Sequence, residues 1–182
     1  RWDYSFMSKY ILTLTFRADG SSKFVDHWGY FPGFALGWNM HRESFFENNL
    51  PFLSTSKLRM SYGSNGNNRV ADFATFARLL QNIDGYSFNN STPTGSIYIS
   101  QVANPALKWE IVNTLDVGYE IGVAEDRLKL EVDLYRKITN DLLLCATLPP
   151  STGFTSAVKN IGSLKNDGLE FTLNALVISK PD

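Results

Sequence analysis

The chain has 182 residues and a net charge of −1, long enough for one domain with a sizeable core and without the basic excess that nucleic acid demands. Its one cysteine, Cys145, rules out a disulfide within the chain. No run of about eighteen apolar residues exists, so no helix of this sequence crosses a membrane.

Trp2, Tyr4 and Phe6 alternate with polar residues and read as the tail of an earlier strand. Met7-Ser8-Lys9 turns the chain into a strand over about 9–18, with Tyr10, Leu12, Leu14 and Phe16 on one face. Asp19-Gly20-Ser21-Ser22 is a turn cluster that opens a loop to about residue 30. A second strand, near 31–41, carries Phe34, Leu36, Trp38 and Met40; a connector follows over 42–55. The third strand, near 56–64, presents Leu58, Met60 and Tyr62. A long segment rich in Asn, Ser, Thr, Gly and aromatics then runs over 65–107. The fourth and fifth strands, near 108–123 and 127–138, present Leu115 to Val123 and Leu128 to Leu134 at alternate positions, separated by the short turn Ala124-Glu125-Asp126. A loop over 139–166 holds Pro149-Pro150 and Gly153, and the sixth strand, near 168–178, carries Leu169, Phe171, Leu173, Ala175 and Val177. No apolar set chosen in these six strands contains Asp, Glu, Lys or Arg.

Long and short connections alternate, so antiparallel neighbours gather the long loops at one end. That asymmetry fits an outer-membrane β-barrel with short periplasmic turns and long extracellular loops near 19–30, 65–107 and 139–167. The connector over 42–55 is longer than an ordinary periplasmic turn. Roughly ten residues at ~3.3 Å each, tilted about 45°, cross a ~25 Å apolar band. Tyr10 and Trp38 fall near one rim, and Phe16, Phe34 and Tyr62 near the other, where aromatic girdles belong. A soluble β-sandwich also alternates, and stays open as an alternative; its strands are usually shorter, with turn signals every 8–12 residues or so.

Several strings, in order, carry a resemblance. They include Phe16-Arg17-Ala18-Asp19-Gly20-Ser21-Ser22-Lys23-Phe24, Gly29-Tyr30-Phe31-Pro32-Gly33-Phe34-Ala35-Leu36-Gly37-Trp38 and Lys57-Leu58-Arg59-Met60-Ser61-Tyr62-Gly63-Ser64-Asn65-Gly66-Asn67. Later come Asn104-Pro105-Ala106-Leu107-Lys108-Trp109-Glu110, Leu148-Pro149-Pro150-Ser151-Thr152-Gly153-Phe154 and Asn166-Asp167-Gly168-Leu169-Glu170. The series resembles the barrel of SusC/RagA-type TonB-dependent outer-membrane transporters of Bacteroidetes, from about residue 9 to 175. The resemblance implies an all-β fold: antiparallel strands forming part of a transmembrane barrel of about 22 strands. Residues 1–182 would be a segment of that barrel, about six to seven strands, cut from something longer, without the plug domain. It implies uptake of an oligosaccharide or peptide cargo, a SusD-like lipoprotein as lid, TonB as energy source acting through a part that this sequence lacks, and outer-membrane lipid as surroundings. A porin or adhesin barrel is the nearest rival.

Candidate site residues fall into two sets. Phe73, Phe76, Tyr86, Phe88 and Tyr98, in the loop over 65–107, suit stacking on sugar rings or packing against a lid. Arg17, Arg59, Asp116, Glu120, Glu131 and Asp133 are placed on the lumen face. Glu131 and Asp133, about 7 Å apart on one strand, have a spacing open to acid–base chemistry, but mixed charge along a wet wall is the simpler reading. Gly33, Ala35 and Gly37 leave that face nearly bare, through strand curvature or to admit the plug's backbone. His27 and His41 lie at opposite ends of the second strand and cannot share a metal. No zinc spacing, phosphate loop or nucleophile elbow appears. The expectation is therefore no catalytic residue, no metal and no cofactor.

Overall fold

The computed structural model describes residues 1–50, 52–82 and 95–177, with the side chains of 47–49 excepted. Seven strands form one antiparallel sheet: β1 (Trp2–Phe6), β2 (Tyr10–Gly20), β3 (Trp28–Asn39), β4 (Leu53–Asn67), β7 (Glu110–Val123), β8 (Leu128–Asn140) and β11 (Ser163–Ala175). They pair in chain order, each with the next. Two small hairpins stand apart: β5 (Arg78–Asn82) with β6 (Ser96–Gln101), and β9 (Leu143–Thr147) with β10 (Ser156–Asn160). The segments read from sequence as plain loops over 65–107 and 139–166 therefore each contain a hairpin. Arg78-Leu79-Leu80-Gln81-Asn82 does not alternate, so it carried no period-two signal.

The connector over 42–55 is likewise structured. A 3-10 turn (Met40–Arg42) leads into the short helix α1 (Ser44–Asn49). Except for β7, which begins at Glu110 rather than near 108, the strands outrun their sequence-predicted bounds at the long-loop end. β3 begins at Trp28, and β4 runs on to Asn67. There both faces meet polar or loop residues, so alternation fades while backbone pairing continues.

Register fixes the two faces. One cross-strand row reads Tyr4, Leu12, Leu36, Met60, Val117, Leu134, Leu169; the next reads Phe6, Tyr10, Trp38, Leu58, Tyr119, Val132, Phe171. The opposite face reads Ser5, Ile11, Gly37, Arg59, Gly118, Asp133, Glu170. Aromatic pairs stack along the apolar face: Tyr10 on Trp38 at 6.3 Å, Phe16 on Tyr30 at 6.1 Å and Phe34 against Tyr62 at 5.9 Å.

The rows are staggered against the strand ends. Phe171 shares Tyr10's row, yet Tyr10 begins β2 whereas β11 continues to Ala175. A register that slides from strand to strand is what a tilted, closing sheet requires.

Little of the sheet is buried. Leu134, Leu169 and Phe171 are 56 %, 51 % and 66 % exposed, so this part of the apolar face lacks a partner within the described residues. The buried cluster lies among the loops instead: Phe24, Phe31, Val70, Ala74, Leu107 and Trp109, with Leu143 and Val158 against it. Trp109 packs its ring near Phe24 at 5.4 Å and edge-on to Phe31 at 5.7 Å.

Candidate functional site

The polar face is built by strand pairing. Arg59 on β4 lies across Gly118 from Asp133 on β8. Glycine at 118 leaves the space; a Cβ there would stand 2.2 Å from Asp133 Oδ1 and 2.8 Å from Arg59 Nη2. Arg59 Nη2 reaches over it, donating to Asp133 Oδ1 at 2.8 Å and to Glu131. Arg59 Nε is enclosed and has no hydrogen-bond partner among the described residues.

Asp116 borders the same ground. It lines a 220 Å³ hollow with Thr13, Ala35, Lys57, Arg59 and Ser61. Glu120 lies one step along, between Lys57 and Glu131 in register. Arg17 is apart, near the far end of β2, where its Nε donates to Asp19 Oδ1 at 2.7 Å. Of the six residues assigned to this face, the structure thus brings Arg59, Glu131 and Asp133 into contact and sets Asp116 and Glu120 beside them. Both carboxylates share the one Arg59 cation, so this patch of wall mixes charge with an excess of carboxylate. The bare stretch at Gly33 and Gly37 is filled by neighbouring strand β2: a Cβ at Gly33 would meet Thr15 Oγ1 at 2.6 Å, and one at Gly37 would meet Ile11 at 3.4 Å.

The loops form the second element. Phe73 and Phe76 are 76 % and 62 % exposed. Both line a 490 Å³ hollow with Asp72, Arg78, Leu79 and Gln101. Gln101 Nε2 pins this turn by donating to the Ala74 and Phe76 carbonyls, and Lys23 pairs with Asp72 at 3.2 Å. Tyr98 sits on β6 opposite Leu80, half exposed. Tyr86 and Phe88 lie outside the described residues. The two loops are joined beneath: Asn104 Nδ2 donates to the Val158 carbonyl at 2.8 Å, and Asn160 exchanges hydrogen bonds with Lys108. The hollow therefore rests on the buried loop cluster.

Two carboxylates clamp the short-turn end. Asp126 accepts from Ser54 Oγ at 2.8 Å and Thr55 Oγ1 at 2.7 Å and pairs with Lys129 at 3.0 Å. The Thr55 hydroxyl, then Lys129 and Ser54, hold its carboxyl below its ordinary pKa. These bonds anchor a turn in which Ala124, Glu125 and Asp126 all take positive φ, a conformation costing ~1–2 kcal/mol per residue. Glu43 accepts from Tyr10 Oη at 2.7 Å, Lys9 Nζ at 2.9 Å and Trp38 Nε1 at 3.3 Å. The Tyr10 hydroxyl and Lys9 ammonium keep its pKa low.

One group went unread in the sequence. Arg136 Nε donates to Asp167 Oδ1 at 2.8 Å, and Lys165 pairs with the same carboxylate at 3.0 Å. Arg136 shares a row with Leu115, on the apolar face. Extending the phase of β8 one step past Leu134 would have found it. The trio marks where the apolar face ends on the long-loop side.

The TonB dependent receptor-like, beta-barrel family matches residues 1–176. The TonB-dependent receptor P26 of Formosa agariphila is 39 % identical over 176 residues, which cover 96 % of this chain and 17 % of that protein. The TonB-dependent receptor SusC of Bacteroides thetaiotaomicron is 36 % identical, covering 100 % of this chain and 18 % of the relative. A solved structure of the RagAB peptide importer in its closed-closed state superposes with a TM-score of 0.85 at 29 % identity, covering 99 % of this chain and 19 % of the matched chain. The chain thus spans under a fifth of the length of each of these three proteins.

Proposed function

From the premise that this chain belongs to the TonB-dependent receptor β-barrel family, we propose that it supplies one stretch of wall and three outer loops of an outer-membrane importer. The sheet's apolar face meets outer-membrane lipid. The face with Arg59, Asp116, Glu120, Glu131 and Asp133 lines the lumen. The observation that carries this reading is the broad, largely unburied apolar face on a seven-strand sheet of sliding register, which a barrel in lipid satisfies and a water-soluble sheet does not.

Transport needs no bond-making chemistry from these residues. The wall, where four carboxylates meet Arg59 and Lys57, offers hydrogen-bonding groups to a polar cargo. At the outer end, Phe73 and Phe76 present ring faces, and Asp72, Arg78 and Gln101 present donors and acceptors. That chemistry suits an oligosaccharide or a peptide. The likeness to a peptide importer adds weight to the second class. A SusD-like lipoprotein covers the loops, and TonB, contacting another part of the protein, supplies the energy.

The test is extraction of the outer membrane in mild detergent. Peptides of this sequence are expected in a polypeptide several times 20.5 kDa, co-purifying with a lipoprotein, and uptake of its cargo is expected to stop when TonB is deleted. A free 20.5 kDa species in the soluble fraction would overturn the proposal in favour of a soluble sandwich. Uptake that persists without TonB would favour a porin.

A further inference from the structure

The connector between β3 and β4 is tied back to outward-facing rings at the lower rim. Along β4 the outward row reads Tyr62, Met60, Leu58 and then Ser56, which pairs with the outward Ile121. Leu58 and Met60 are 37 % and 38 % exposed, but Ser56 is 0 % exposed. The 3-10 turn packs on β4, and His41 Nδ1 lies 3.2 Å from the Ser56 carbonyl. The Ser56 and Tyr119 hydroxyls bond at 2.8 Å, and Phe46 is buried.

Glu43 fixes the same segment to the rim. Both aromatic groups that donate to it, Tyr10 Oη and Trp38 Nε1, belong to rings on the outward row. The connector is therefore held at Glu43 to the outer side of the wall, at the level of the lower girdle. On it, Phe45 and Phe52 remain 51 % and 63 % exposed. Two large rings beside an apolar band, with Lys9 and Arg42 close by, have the make-up of a segment lying in a membrane interface.

We infer that residues 40–50 and 52–53 form an in-plane anchor whose partner is phospholipid of the inner leaflet, with Phe45 and Phe52 seated among the acyl chains just below the headgroups. The inference rests on the barrel reading and extends its lipid-facing surface beyond the strands. It explains why this connector is long where a tight turn would suffice to join the strands.

The test uses the full-length transporter in phosphatidylethanolamine–phosphatidylglycerol vesicles. Phe45→Cys and Phe52→Cys are made separately in a cysteine-free background and spin-labelled, with Leu173→Cys and Thr172→Cys as references. Collision with oxygen and with Ni(II)EDDA is read by power saturation. Oxygen is expected to exceed Ni(II)EDDA at 45 and 52, as at 173, with a shallower depth. Ni(II)EDDA dominating at both, or labels shielded from both reagents, would overturn the anchor while a lipid-exposed 173 leaves the barrel standing. A water-exposed 173 would overturn the barrel reading itself. Should Phe45→Cys fail to assemble, Phe52→Cys decides the matter alone.

Discussion

Replacing Phe171 by arginine places a charge in the middle of the apolar band. Phe171 lies four residues from Asp167, the upper limit, and four from Ala175, the end of β11. Four residues at ~3.4 Å each, on a strand tilted about 40°, put it roughly 10 Å from either boundary. A cation at that depth costs ~2–4 kcal/mol, a change of about thirty- to nine-hundred-fold in the folding equilibrium. Thr172, the next residue, faces the other way and opposes Glu131. Thr172→Arg should cost less than ~0.5 kcal/mol. The assay is guanidinium unfolding of the full-length protein folded into lipid vesicles, with the heat-modifiable band on gels reporting assembly. Equal costs for the two variants, or a larger cost at Thr172, would refute the assignment of faces.

Three further outcomes follow from the packing. Leu107→Ala empties the centre of the loop cluster, where Leu107 is 2 % exposed, and should destabilise the loops by ~2–5 kcal/mol. Protease added to intact cells should then cut within 104–160 while the barrel keeps its heat-modifiable band. Arg59→Leu leaves Glu131 and Asp133 without their shared cation; because the three side chains are partly exposed, the loss should be only about 1 kcal/mol, read in the same vesicle unfolding. Asp126 has a lowered folded pKa, so its stabilising effect is complete above its unfolded pKa and is lost as pH falls through the folded value. A spin label at Glu125 should therefore loosen only below the ordinary carboxylate range, and in Asp126→Ala it should be loose at every pH.

How far the sequence could be read depended on whether a residue's environment is set by the strand it sits on. Leu169, Phe171 and Leu173 alternate because, on the barrel reading proposed above, one side of β11 meets lipid and the other the wet lumen, and that contrast repeats every second residue. The same rule located Arg59, Asp116, Glu120, Glu131 and Asp133 on one face, but not that Arg59 would bridge Glu131 and Asp133 across a glycine. That contact depends on Gly118, a residue on a third strand. The loop cluster was out of reach for a related reason. Phe24, Val70, Leu107 and Val158 come from three different loops, and nothing periodic ties them. Phe73 and Phe76 could be picked out by residue type, whereas Arg78 and Gln101, which complete their hollow, sit on a hairpin with no alternation. Glu43 looked like an ordinary connector acid, because its partners Tyr10 and Lys9 belong to another hairpin.

The measurement that bears most directly on the central claim is a spin-label scan of residues 169–174 in the full-length protein in lipid vesicles. Oxygen collision is predicted to peak at Leu169, Phe171 and Leu173, and Ni(II)EDDA collision at Glu170, Thr172 and Asn174. A scan with no period of two, or with water on both faces, would contradict a lipid-facing wall with a wet lumen behind it.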